Sequence, residues 1–180
     1  MVWYSRVRKL RERERLLDLV PWRGDEQVLD VGSGRAVGVD LWQGADLSGN
    51  RPEATLENAR REGVAGRVEV KDGDARKLPF ADASFDVVVS CLALHNIYEK
   101  TEREQAVREL ARVLRPGGHV VVLDIQHTAD YARLLREGGL EDVTRSSLGF
   151  WTVLNLVLTW GAVRYYRVTG RKPAPPAPQA

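Results

Sequence analysis

The chain has 180 residues, 43% hydrophobic and 29% charged, with a formal net charge of +2. That is enough for one domain with a substantial core, without the field that marks a nucleic-acid binder. A single cysteine, Cys91, excludes an internal disulfide. The longest apolar stretch, 150–163, is shorter than the roughly 20 residues that cross a bilayer. The amino end, crowded with Arg6, Arg8, Lys9, Arg11, Arg13 and Arg15, is unlike a signal peptide, so a cytoplasmic protein is expected.

Residues 4–20 predict a basic helix with Leu10, Leu16, Leu17, Leu19 and Val20 as its apolar stripe, ended by Pro21. Apolar runs at 27–31 and 36–40 predict buried strands, the first leading into Gly32 and Gly34. A helix is predicted over 52–62, with proline in its first turn and Gly63 as its stop. Strands follow at 67–71 and 85–90. A helix is then predicted over 101–114, opened by a capping box of Thr101 and Glu104 and closed by Arg115-Pro-Gly-Gly118. A strand at 119–124, a helix at 128–137 and strands near 141–148 and 162–169 complete a domain over 1–171. The Pro/Ala-rich tail 172–180 is expected to be disordered. Strands alternating with helices imply a parallel α/β sheet, which binds ligands beyond the carboxyl ends of its strands.

Four strand ends carry residues suited to that role. Gly32 and Gly34 let the backbone approach a ligand closely, although a plain turn explains them equally well. Asp40 ends the second strand, where a carboxylate can accept both hydroxyls of a ribose; capping a helix is the plainer use. Asp74 can accept an exocyclic amine while a neighbouring backbone N–H reads a ring nitrogen, the pattern an adenine presents. A solvated turn is its bland alternative. His95, after the central strand, stands at the expected pocket mouth, and histidine titrates near neutrality, as a general base should. It could equally pack or cap a helix start. His127, Trp42 and Tyr98 are further candidates for the pocket wall.

Six segments in order carry a family resemblance: Val28-Leu-Asp-Val-Gly-Ser-Gly34, Val39-Asp40, Gly73-Asp74-Ala75, Leu78-Pro-Phe80, Phe85-Asp-Val-Val-Val89 and Leu114-Arg-Pro-Gly-Gly118. Together they resemble class I S-adenosylmethionine (SAM)-dependent methyltransferases, above all the small-molecule group of ubiquinone and menaquinone biosynthesis. The resemblance implies a Rossmann-like, seven-stranded, mostly parallel sheet of order 3-2-1-4-5-7-6, with strand 7 antiparallel and helices on both faces. It implies SAM as cofactor, S-adenosylhomocysteine as product, no metal, and a small-molecule acceptor attacked through O, N or C. Gly32 and Gly34 would pass under the methionine part of SAM, with Asp30 holding that loop. Asp40 would take the ribose hydroxyls, Leu41 would lie beside the adenine, Asp74 and Ala75 would read its edge, and the Ser90 backbone would meet the methionine amine.

Two departures qualify the resemblance. The helix that should join the first two strands is missing: only Arg35 and its near neighbours separate Gly34 from the next strand. A parallel crossover normally needs a dozen or more residues, so either a helix-bearing segment is absent, with a break near Arg35 and Ala36 expected, or the first crossover is truly rearranged. The tryptophan-flanked segment 150–160 fits either core structure, a lid over an apolar acceptor, or a peripheral membrane contact assisted by the basic N-terminal helix. A catalytically degenerate scaffold of this fold is the main alternative. A nicotinamide oxidoreductase is a weaker one, because Gly32-Ser-Gly34-Arg-Ala-Val37 lacks the G-x-G-x-x-G spacing.

Overall fold

The computed structural model of the protein describes residues 20, 26–29, 35–42, 51–147 and 164–175. Its strands are β1 (Gln27–Leu29), β2 (Arg35–Asp40), β3 (Val68–Asp72), β4 (Phe85–Cys91), β5 (Leu114–Asp124), β6 (Glu141–Ser147) and β7 (Tyr166–Arg171), and its helices are α1 (Pro52–Arg61), α2 (Lys100–Val113) and α3 (Thr128–Glu137). The strands form one sheet of order β3-β2-β1-β4-β5-β7-β6. Every pair from β3 to β5 is parallel, and β7 runs antiparallel to both β5 and β6. This is the topology that the resemblance implies.

The valine runs of β4 and β5 are continuous rather than alternating because these strands are covered on both faces. On one face Val88, Val120, Val122 and Val168 pack against Ala106, Val107 and Leu110 of α2 and Tyr131 and Leu135 of α3. On the other, Val28, Val87, Val121 and Leu123 form a smaller cluster with Val20. Each fully buried valine contributes about 2 kcal/mol. Val20 is the only described residue of the predicted N-terminal helix; the rest, like segment 150–163, lies outside the described residues.

The first crossover is the main correction. Arg35 and Ala36 are consecutive residues of β2, so the expected break between them is absent. The described residues of β1 pair with β2 in parallel, Gln27 level with Arg35 and Leu29 with Val37, and only residues 30–34 separate the two described strands.

Three smaller corrections follow. The capping box does not form: α2 begins at Lys100 behind Glu99, whose side chain makes no cap bond. Thr101 thus sits inside the first turn, while Glu104 pairs with Arg108 at 3.2 Å and Arg133 at 3.3 Å. Arg115-Pro-Gly-Gly118 is not a turn after the helix but the bulged start of β5, which begins at Leu114. Gly118 is required there, because a Cβ would stand 2.7 Å from the Asp86 carbonyl oxygen. The start of the tail is held in place. Lys172 Nζ donates to the carbonyls of Ala111 in α2 and Leu114 at the start of β5, and the backbones of Lys172 and Gly117–Gly118 exchange hydrogen bonds.

Candidate functional site

At the carboxyl ends of β2 and β3 the register places Asp40 opposite Asp72. Asp40 is exposed and its Oδ1 accepts the Trp42 backbone N–H at 2.8 Å. Trp42 has a positive φ of 54°, unusual for a bulky residue. Its indole Nε1 donates to Asp72 Oδ1 at 2.7 Å. Between them Leu41 is half-exposed at 48%. Gly73 closes this corner, since a Cβ there would meet Val39 Cγ1 at 2.7 Å and Pro79 Cδ at 3.1 Å.

Asp74 follows at once and is already engaged. Its Oδ1 accepts the Arg76 backbone N–H at 2.9 Å, and both oxygens accept from the Arg76 guanidinium at 2.5–2.9 Å. That guanidinium, whose first contribution is its hydrogen bond, holds the Asp74 carboxyl below its ordinary value. Arg76 also donates to Glu102 of α2 at 2.6 Å. Ala75 packs against the larger core. The Leu78-Pro-Phe80 segment is clamped from the same helix. Glu109 Oε2 accepts the Leu78 N–H at 2.8 Å, and Arg112, paired with Glu109 at 2.7 Å, donates to the carbonyls of Phe80 and Leu78.

At the ends of β4 and β5, Ser90 is buried and Leu92 turns the chain with a φ of 55° while donating its N–H to the Leu123 carbonyl at 2.8 Å. This brings His95 over the end of β5. Its Nδ1 lies 2.6 Å from Asp124 Oδ1, and its backbone N–H donates to Asp124 Oδ2 at 3.1 Å. The side-chain contact is close but poorly directed, so it is a charge contact more than an aligned hydrogen bond. Asp124 is fully buried, whereas 19% of the His95 side chain is exposed. Burial raises the Asp124 carboxyl above its ordinary value, opposed by the Ile125 N–H and the His95 charge. Behind it stands the buried Tyr131. Arg103 of α2, itself buried, donates to the carbonyls of Ile97 and Tyr98 at 2.7 and 3.1 Å and so fixes the chain after His95.

The candidates thus fall into two groups. Asp40, Leu41, Trp42, Asp74 and Ala75 gather at the β2–β3 end, while Ser90 and His95 stand at the β4 end. Tyr98 points outward at 92% exposure, and His127 is an exposed residue with φ 57° preceding α3. Asp30, Gly32 and Gly34 lie outside the described residues. The partner of His95 was not singled out from the sequence. Its signal was an acid ending the apolar run beside the strand that leads to His95. Among the described residues no group of three His, Cys, Asp or Glu could hold a metal, and no helix is long and apolar enough to cross a membrane.

The donor set fits an adenosyl ligand at two points: an exposed carboxylate for a diol at Asp40 and an exposed apolar side chain beside it at Leu41. At a third, Asp74, an adenine amine would have to share oxygens that Arg76 now fills. Residues 29–122 match the family described as "Methyltransferase domain". The chain is similar to the methyltransferase GfsG of Streptomyces halstedii, 34% identical over 153 residues that cover 79% of this chain and 50% of that protein. It is also similar to the ubiquinone/menaquinone biosynthesis C-methyltransferase UbiE of Pseudomonas fluorescens (strain SBW25), 40% identical over 80 residues, 44% of this chain and 30% of that one. The chain spans half or less of the length of these two curated relatives. In fold it resembles the [4+2]-cyclase SpnF, with a TM-score of 0.70 and 19% identity, covering 92% of this chain and 82% of SpnF.

Proposed function

Because the chain belongs to the class I SAM-dependent methyltransferase family, we propose that it transfers the methyl group of SAM to a small-molecule acceptor held over the ends of β4 and β5, with His95 as the general base. The observation that carries this reading is the His95–Asp124 contact of 2.6 Å at the mouth of the sheet. SAM supplies a methyl carbon already activated by its sulfonium. What remains for the chain is to hold both partners in line and exclude water.

Asp40 takes the ribose hydroxyls, Leu41 lies beside the adenine, and Asp74 with Ala75 reads the adenine edge once Arg76 yields part of its hold. The Ser90 backbone meets the methionine amine, with Gly32 and Gly34 beneath it and Asp30 bracing their loop. Asp124, beside Nδ1, would favour a proton there once the contact aligns in the complex, which leaves Nε2 to accept the proton of the acceptor's hydroxyl or amine as the new bond to carbon forms. The electrons of the broken C–S bond stay on sulfur in S-adenosylhomocysteine. The buried carboxylate then stabilises the imidazolium, the service an aspartate gives histidine in a catalytic triad.

The test is calorimetric titration with SAM and, separately, NADH, followed by transfer of labelled methyl to a panel of small hydroxyl and amine compounds. SAM binding that Asp40→Ala abolishes is expected, together with an H95A chain that binds SAM normally but turns over poorly. NADH binding without SAM binding would overturn the family role. Full turnover by H95A would remove the base.

A further inference from the structure

The carboxyl end of the sheet continues past Asp124 to a group of cations. Tyr166 is the cross-strand neighbour of Asp124 in the β5–β7 pairing and of Ser147 in the β6–β7 pairing. Cross-strand neighbours share a face, so the phenol stands next to Asp124 on the side from which that carboxylate meets His95. Arg145, near the end of β6, lies over the Tyr166 ring with its guanidinium carbon 3.8 Å from the centroid. Its Nε donates to Thr128 Oγ1 at 2.9 Å, and Thr128 is buried at the start of α3. Arg164 lies two residues before Tyr166 on the chain entering β7.

These two arginines differ from others around the sheet. Arg76, Arg112, Arg115 and Arg133 each face a carboxylate at 2.8 Å or closer. Neither Arg145 nor Arg164 pairs with a carboxylate among the described residues, although both are exposed. Arg164, and with it the Arg145 stacked on the ring, hold the ionisation of this phenol below the ordinary tyrosine value. The ring beneath Arg145 and its Nε bond fix the plane of the guanidinium. A fixed planar guanidinium suits recognition of a carboxylate or phosphate.

We infer that Arg145 and Arg164, gathered on Tyr166 beside the His95–Asp124 pair, bind an oxyanion of the methyl acceptor, so that the acceptor is an acid, a carboxylate or a phosphate ester. This rests on the proposed methyl transfer at His95. From β5, over whose end His95 stands, to β6 the sheet steps across two strand spacings, about 10 Å. An acceptor whose acid group and nucleophile are separated by a ring or a short chain bridges that distance. The arginines would then set which molecule is admitted, and His95 would act at its other end.

The experiment is calorimetric titration of the chain with benzoate, phenyl phosphate and benzyl alcohol, three probes with one aromatic body, with and without saturating S-adenosylhomocysteine. The native chain is compared with R145Q and R164Q. Binding of an oxyanion probe but not of the alcohol is expected, weakened about tenfold by either substitution, with S-adenosylhomocysteine affinity and thermal midpoint unchanged. Preference between benzoate and phenyl phosphate identifies the acid. Equal binding of benzyl alcohol, no binding of either acid, or undiminished affinity in R164Q overturns the inference. Arg164 is exposed and precedes the strand, so that variant retains the fold even if R145Q does not. Arginine-dependent benzoate binding by a chain that does not bind S-adenosylhomocysteine would instead remove the methyltransferase reading and leave the anion site.

Discussion

Glu109 and Asp124 are both buried carboxylates at the edge of one core, and their surroundings push their acidities in opposite directions. Glu109 is met by the Arg112 guanidinium and the Leu78 N–H, and its carboxyl is held below the ordinary value. Asp124 is paired with no arginine among the described residues; burial raises it, and its side-chain partner is a histidine that opens to solvent. The first arrangement is self-contained and holds a loop. The second costs the fold something, because a charge is kept from water with a titratable neighbour as its counterpart. Pairing by arginine thus marks the carboxylates that shape the site, and its lack marks the one suited to chemistry.

The largest effect that tests this contrast is on rate. Asp124→Asn and His95→Ala should each lower methyl transfer by about a hundredfold or more, with SAM affinity unchanged by calorimetry. Turnover by D124N equal to that of the native chain would place Asp124 beside Glu109 as a structural acid. Next in size, Glu109→Ala leaves the Leu78 N–H and Arg112 without their acceptor and should cost about 2 kcal/mol in urea denaturation. An unchanged midpoint would show that the clamp holds nothing.

The pH dependence is smaller and has opposite signs at the two residues. Glu109 is ionised more readily in the folded chain, so its stabilisation is complete above its ordinary value of 4.5 and is lost as pH falls through the depressed value. Asp124 is protonated more readily in the folded chain. Its contribution is present below its ordinary value of 3.8 and is lost as pH rises through the raised one. Denaturation from pH 3 upward, about the range where carboxylates titrate, should therefore show a flatter acid limb for E109Q and a steeper one for D124N. Smallest of all, Arg76→Gln should nearly leave the denaturation midpoint in place despite its short contacts, because the arginine is open enough to water for its charge to be screened. A clear loss of stability in R76Q would mean that surface and buried pairs act alike here.

The strands were legible where apolar runs were long, as in Val87-Val-Val89, buried but for the half-buried Val89, and the fully buried Val120-Val-Val122. Their order came with the family resemblance, because no local pattern says which strand lies beside which. Local rules failed where a longer-range partner intervened. Glu104 is drawn to Arg133 of α3 instead of capping α2, and Gly117 and Gly118 bend a strand instead of stopping a helix. His95 could be singled out by its place after β4. Asp124 could not be joined to it, because the two are 29 residues apart and meet only through the β4–β5 register. The Arg145–Tyr166 contact depends likewise on the antiparallel return of β7.

The three paired residues of β1 have a mechanical consequence. In the middle of the sheet they join β2 at three positions and β4 at two, with the Gln27 N–H anchored on Asp86. Asp40 and Asp74 lie on one side of β1, Ser90 and His95 on the other. A central strand is ordinarily the slowest in a sheet to exchange its amide hydrogens. A ligand reaching from Asp40 to His95 crosses over it and ties its two neighbours together, so binding should be registered by further slowed exchange at Val28 and Leu29, residues that do not themselves form the site.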